Sequence, residues 1–122
     1  RRAVLRTLAS PRGDGYEIAF GGTAQYDYAP DVGRAFALAA RAASDGAHVA
    51  NFPGVPSTIV EVVGAIVAAA PAVAGKITWQ EGQLPFPESL QANMLQQLVG
   101  PLPQTSLAEG ARATVEHYRS RK

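Results

Sequence analysis

Chemistry at a hydroxyl, a carbonyl or a metal needs particular side chains at particular spacings, and this 122-residue chain holds few of them. It has no cysteine, which removes disulfides, thiolate zinc sites and a thiol nucleophile together. His48 and His117 are far apart in sequence, and neither has a second His or a carboxylate at metal-ligand spacing on its own element. Both are read as structural. Tyr16, Tyr26 and Tyr28 have no Lys four residues on, so they lack the neighbour that readies a phenol to trade protons with a hydroxyl. Gly13-Asp14-Gly15 leads into a strand rather than a helix, which makes it a turn and not a phosphate cradle. Ser57 and Ser106 are explained as helix caps. What remains is a set of pocket-lining candidates: Tyr26, Tyr28, Asn51 and Phe86, whose competing role is core or edge packing. No catalytic, cofactor-binding or metal-binding residue is assigned.

Those candidates must be positioned by local elements, and the elements are legible in part. Arg2 to Ser10 has a helical apolar pattern, and Pro11 to Gly15 is a turn cluster. Tyr16 to Phe20 alternates as a half-buried strand does, and Gln25 to Tyr28 is a second short extended piece. Pro30 or Asp31 opens a helix on which Val32, Ala35, Phe36, Ala39, Ala40 and Ala43 recur at helical spacing, until Ser44-Asp45-Gly46. His48 to Phe52 reads as a strand cut by Pro53-Gly54. Ser57-Thr58 starts the next helix, with Glu61 in capping-box position and Pro71 as its end. Lys76 to Trp79 is a short strand, and Gln80 to Glu88 is a polar, proline-rich loop flanked by Trp79 and carrying Phe86. Ser89 is expected to cap a short helix with Leu90, Met94, Leu95 and Leu98 inward. Gly100 is expected to end it in the left-handed conformation, and Ser106 and Glu109 form a second capping box for a helix reaching about Arg121. Alternating helices and short strands predict an α/β fold with a small parallel sheet.

Composition excludes more than it proposes. A net charge of +1 gives no electrostatic reason to expect nucleic acid. The apolar run from Val55 to Ala70 is broken by Pro56, Ser57, Glu61 and Gly64, so no membrane span is expected. A cysteine-free chain without a recognisable signal peptide suits the cytoplasm. The chain opens on Arg1-Arg2-Ala3-Val4-Leu5 already in a helical pattern, from which we expect a single partial domain, residues 1–122 of a longer parent.

Four blocks in order carry a family resemblance. Gln25-Tyr26-Asp27-Tyr28-Ala29-Pro30-Asp31-Val32-Gly33-Arg34-Ala35 is similar to a "R-D-Y-V-x-V-x-D-V-A-x-A" block. His48 to Gly54, followed by Ser57 to Val63, is similar to "V-x-N-L-x-G … S-x-x-E-V-V". Lys76 to Trp79 and its loop come next, and Gly100-Pro101, Thr105-Ser106-Leu107-Ala108-Glu109-Gly110 and Thr114-Val115-Glu116-His117-Tyr118 close the chain. Together they resemble the C-terminal portion of the extended short-chain dehydrogenase/reductases, the NAD-dependent epimerase/dehydratase family.

The resemblance implies a small mixed substrate-binding subdomain that lacks the Rossmann cofactor-binding half. It implies a parent using NAD or NADP on a sugar-like hydroxyl, with this chain holding no cofactor of its own and no catalytic Tyr-Lys pair. Tyr26, Tyr28, Asn51 and Phe86 would line the substrate side, Phe86 with Trp79 covering a sugar face, and Asp31 would position the loop beside it. Ala24 stands where nucleotide-sugar enzymes of the family carry an Arg, and Glu81 to Pro87 lacks the second one. An Arg fork suits phosphate, so its loss favours a smaller sugar or sugar acid. The alternative expectation is a non-enzymatic α/β module that self-associates, or binds a partner, through an exposed apolar face.

Overall fold

A computed structural model describes residues 15–121 of the chain. The expected helix from Arg2 to Ser10 and most of the turn after it lie outside those residues. The described elements run in order β1 (Tyr16–Ile18), β2 (Thr23–Tyr26), α1 (Ala29–Ala39), β3 (Val55–Thr58) and α2 (Ile59–Ala69). A 3-10 turn at Pro71–Val73, β4 (Ile77–Trp79), α3 (Asn93–Val99) and α4 (Leu107–Arg119) follow. The result is a small mixed α/β domain, but its described strands form two separate ladders rather than one parallel sheet. β1 and β4 pair in parallel, with Tyr16 opposite Ile77 and Ile18 opposite Trp79. β2 and β3 pair antiparallel, with Thr23 opposite Thr58 and Tyr26 opposite Val55.

One apolar cluster joins these pieces. Ile18 and Ile77 come from the parallel ladder, Ile59 from the start of α2, Ala70 and Val73 from the turn that Pro71 opens, and Val115 from α4. Val63, Ile66 and Val67 pack against them from α2. Their spacing along the helix is the apolar stripe visible in sequence.

Local capping fixes where α2 and α4 begin. The Thr58 hydroxyl accepts the Glu61 amide at 3.2 Å while the Glu61 carboxylate accepts the Thr58 amide at 2.7 Å. Ser106 and Glu109 repeat the arrangement, each backbone bond 3.3 Å long. Two donors that a helix start leaves unpaired are satisfied reciprocally. Both carboxyls are held below the usual carboxylate range by these bonds. In Glu61 the Thr58 amide is the larger cause, and in Glu109 the Ser106 hydroxyl.

Several boundaries move. The strand expected over His48 to Phe52 does not form. The pairing strand is Val55–Thr58, in the stretch assigned to the chain break and helix start. A strand exists where a ladder partner exists, and β2 offers its edge to Val55–Thr58. Pro56 is tolerated because a two-stranded ladder has open edges. Helix α1 stops at Ala39 rather than near Ala43, because its apolar stripe is covered only at its start, with Val32 half-buried and Ala35 buried while Phe36 stays 73% exposed. Ser89 caps nothing: α3 begins at Asn93, and Ala92 at its N-cap makes no side-chain bond. Leu90 and Met94, expected inward, are exposed. Gly100 ends α3 with φ 78° and ψ −156°, a positive-φ conformation open to glycine but not the left-handed helical one. Smaller shifts bring β1 to a close at Ile18 and α4 at Arg119.

Candidate functional site

The end of β2, the start of α1, the approach to β3 and the approach to α4 meet around one recess. Its walls are Tyr26, Asp27, Tyr28 and Asp31 from the first segment, Phe52 to Val55 from the second, and Gln104 and Thr105 from the third. As it stands the recess has room for about one water molecule, some 10 Å³.

Each wall is placed by a specific contact. Asp31 lies in the first turn of α1, where a carboxylate is favoured by the helix dipole. It is 2% exposed, and its Oδ2 accepts the backbone amide of Thr105 at 2.6 Å. Its Oδ1 meets the Arg34 guanidinium at 3.3 Å. A buried carboxylate thus holds the proline-rich step before α4 against the start of α1, across 74 residues of sequence. Tyr28 lays its ring over Gly110 in α4, where an added β-carbon would stand 3.4 Å from the Tyr28 Cδ2. That spacing is the near limit of ordinary van der Waals contact. Gly54 is tighter still: a β-carbon there would meet the Asp27 carboxylate at 2.5 Å and the Tyr26 carbonyl oxygen at 3.2 Å. The Gln25 side chain donates to the Gly54 carbonyl at 3.3 Å, tying the same two segments. The Tyr26 hydroxyl is buried in this neighbourhood.

The structure therefore brings Tyr26 and Tyr28 together. Asn51 is exposed and stands one residue before the lining residue Phe52. Phe86 is 67% exposed and stands outside the recess on the loop after β4. That loop is anchored at its base instead. The Gly21 amide donates to the Gly82 carbonyl at 2.8 Å. The Gln83 carboxamide pairs with both backbone groups of Thr23, accepting its N–H at 3.0 Å and donating to its carbonyl at 2.5 Å. The side chain takes the place of a neighbouring strand. Gly22, at φ 71°, makes room for it, since a β-carbon there would collide with the Gln83 amide. Thr23 is at the far end of β2 from Tyr26, so Gln83 orients the loop base and not the recess.

Sequence reasoning undervalued Asp31 and did not single out Gln83 or Thr105. Asp31 carried a local signal, a carboxylate in a first helical turn. Gln83 and Thr105 carry none, because their partners are 60 and 74 residues away.

One expectation about catalytic groups needs correcting. A Tyr-x-x-x-Lys spacing does occur, at Tyr118 and Lys122. Lys122 lies outside the described residues. Tyr118 sits in the last turns of α4 with its ring edge-on to His117, centroids 5.6 Å apart. It is eight residues beyond Gly110, about 12 Å along the helix. Tyr118 is therefore remote from the recess.

Elsewhere, a shallow open groove of about 240 Å³ runs between α2 and α4, lined by Ala65, Ala68, Ala69, Ala108, Glu109 and Arg112. Its charged members are engaged, Glu109 in the helix cap and Arg112 with Glu116 at 3.6 Å. Among the described residues no group of three or more His, Asp or Glu side chains assembles for a metal. Among them, too, no helix is long and apolar enough to cross a membrane. Against known proteins, no family model, curated protein or solved structure matches this chain.

Proposed function

We propose that this chain is the substrate-binding portion of an extended short-chain dehydrogenase/reductase, an NAD(P)-dependent epimerase or dehydrogenase acting on a sugar or sugar acid. The observation that carries the reading is convergence. Three of the four blocks that resemble the family, far apart in sequence, contribute to the walls of one recess: Tyr26, Asp27, Tyr28 and Asp31 from the first, Phe52 to Gly54 from the second, and Thr105 from the last. Blocks that matched by chance would have no reason to meet.

In this reading the chain binds and orients a sugar-like alcohol, and the parent's other half supplies the nicotinamide cofactor and the acid–base pair. Tyr26 and Tyr28 present an aromatic wall to the bound alcohol. No Arg is among the lining residues, which favours a small sugar or sugar acid over a nucleotide sugar. Phe86, exposed on the loop after β4, would cover a bound ring together with Trp79. The chain by itself transfers no hydride.

The test compares two polypeptides: the 122-residue chain, and the product of the encoding reading frame extended upstream. Both are assayed for reduction of NAD or NADP with a panel of free sugars and sugar acids. Turnover by the longer product alone supports the proposal. A frame with no glycine-rich fingerprint upstream, or a longer product inert on every sugar, removes it.

A second reading rests on a different observation. Phe36, Val49, Phe86, Leu90 and Met94 are all large, apolar and exposed. Gathered into one patch, side chains of this kind would suit an association module. Sedimentation that shifts with concentration in the 122-residue chain favours this reading, and a fixed monomer counts against it.

A further inference from the structure

We infer that Asp45-Gly46 is a self-modification site, where the Gly46 nitrogen closes on the Asp45 side chain with help from His48 and the chain passes to isoaspartate. The inference goes beyond the proposed function and uses only residues of this chain.

Ring closure of this kind needs a carboxyl group followed by an unhindered backbone amide. Of the four aspartates in the chain, Asp14 and Asp45 precede glycine. Asp14 lies outside the described residues. Asp27 is followed by the bulky Tyr28, and Asp31 by Val32, whose amide is held by the Tyr28 carbonyl at 3.2 Å in the first turn of α1. Gly46 puts no side chain in the way of closure and reaches backbone conformations closed to other residues.

The surroundings leave the pair unrestrained. Asp45 and Gly46 are exposed, in the connection between α1 and β3, which holds no helix or strand. Gly46 stands at φ 87°, and a β-carbon added there would meet nothing within 4 Å. Among the described residues the Gly46 amide meets no acceptor, and the Asp45 carboxylate makes no hydrogen bond or ion pair. Nucleophile and electrophile are thus neighbours in the chain with nothing else to bond.

His48 adds what an ordinary Asp-Gly loop lacks. Its Nε2 lies 3.0 Å from the Asp45 carbonyl oxygen. A carbonyl only accepts, so Nε2 carries the proton and donates it. That carbonyl belongs to the same peptide group as the Gly46 nitrogen. As the nitrogen loses its proton to attack, negative charge spreads onto the carbonyl oxygen. A donor already aimed at that oxygen holds the developing charge more strongly than it holds the resting peptide, which lowers the barrier.

The step balances with water alone. The Gly46 nitrogen bonds to Asp45 Cγ, the bond from Cγ to its hydroxyl breaks, and the hydroxyl leaves as water with the proton that came off the nitrogen. Water then opens the cyclic imide at either of its carbonyls. Opening at Cγ restores aspartate. Opening at the former backbone carbonyl gives isoaspartate, with one more methylene in the main chain and a free α-carboxylate. The added methylene falls in the connection that leads to the Phe52 to Val55 wall of the recess.

Ageing the 122-residue chain in neutral buffer tests the inference. The tryptic fragment spanning residues 42–76 contains Asp45 and no other aspartate, and it is followed by mass spectrometry. A species lighter by one water is expected first. A species of unchanged mass then follows, which separates from the unaged fragment and accepts a methyl group from an isoaspartyl methyltransferase. Asp45→Glu, which would have to close a larger ring, gives neither. His48→Ala slows conversion of the native chain by about two- to tenfold, the effect of one hydrogen bond, and leaves the rate in denaturant unchanged. A native chain that stays aspartate while the denatured chain converts overturns the inference. So does a native His48→Ala chain that ages at the wild-type rate.

Discussion

The two halves of this small domain are held by different physics. Around Ile18, Ile59, Ile77 and Val115 the contacts are apolar, and the helices that bring them together start at capping boxes closed within three residues. Around the recess polar, long-range ties recur, Asp31 to Thr105 and Gln25 to Gly54, and Gln83 to Thr23 is a tie of the same kind at the other end of β2. Burial is non-directional and proportional to area, so the first half tolerates any well-shaped apolar side chain. Hydrogen bonds to backbone groups demand one geometry, so the second half specifies shape. Stability and the form of the candidate site are thus assigned to separate residues.

Mutations separate them further. The largest effect is expected in the apolar half. Ile59→Ala empties a site that is 3% exposed and should cost about 2–5 kcal/mol in denaturant unfolding. Asp31→Ala comes next, at about 1–3 kcal/mol, because it leaves the Thr105 amide without its acceptor. Asp31→Asn keeps an acceptor and should recover part of that loss. An Asp31→Ala variant as stable as the wild type would dissolve the contrast between the halves. Gln83→Ala is smaller, at the low end of about 0.5–1.5 kcal/mol, since its bonds are exposed. Its signature is local: faster amide exchange at Thr23 with Gln80 unchanged.

Acid should act on the helix caps. Glu61 and Glu109 have folded pKa values lowered from 4.5, so the stability they contribute is present above that value. It is lost as pH falls below 4.5 through the folded values. The Glu61→Gln and Glu109→Gln double variant should flatten the fall in Tm over that range. A fall as steep as the wild type's would place the acid-sensitive groups elsewhere. Both carboxylates are exposed, so this is the smallest effect of the four.

The same contrast explains what the sequence discloses. Helices α2 and α4 are legible because Thr58 with Glu61, and Ser106 with Glu109, carry their own start signal. Ser89 shows the limit of that signal: a lone cap residue without its Glu or Gln three positions on did not start a helix. The strand was placed at His48 to Phe52 rather than Val55–Thr58 because strand composition is local and strand pairing is not. Pro56 reads in sequence as a break in an apolar run, yet it sits within β3 opposite Gln25 on the edge that β2 offers. At the recess, Tyr26 and Tyr28 were legible as aromatics beside a helix start. The Gln104 and Thr105 wall was not, because it is set by a buried carboxylate 74 residues away in the chain.

The convergence of three segments on one recess is the centre of this account, and a substrate footprint tests it most directly. Amide exchange is measured in the longer polypeptide with and without a saturating sugar or sugar acid that it oxidises. The account predicts slowing at residues 26–31, 52–55 and 104–105 together. Slowing confined to other segments, with these three unchanged, would contradict it.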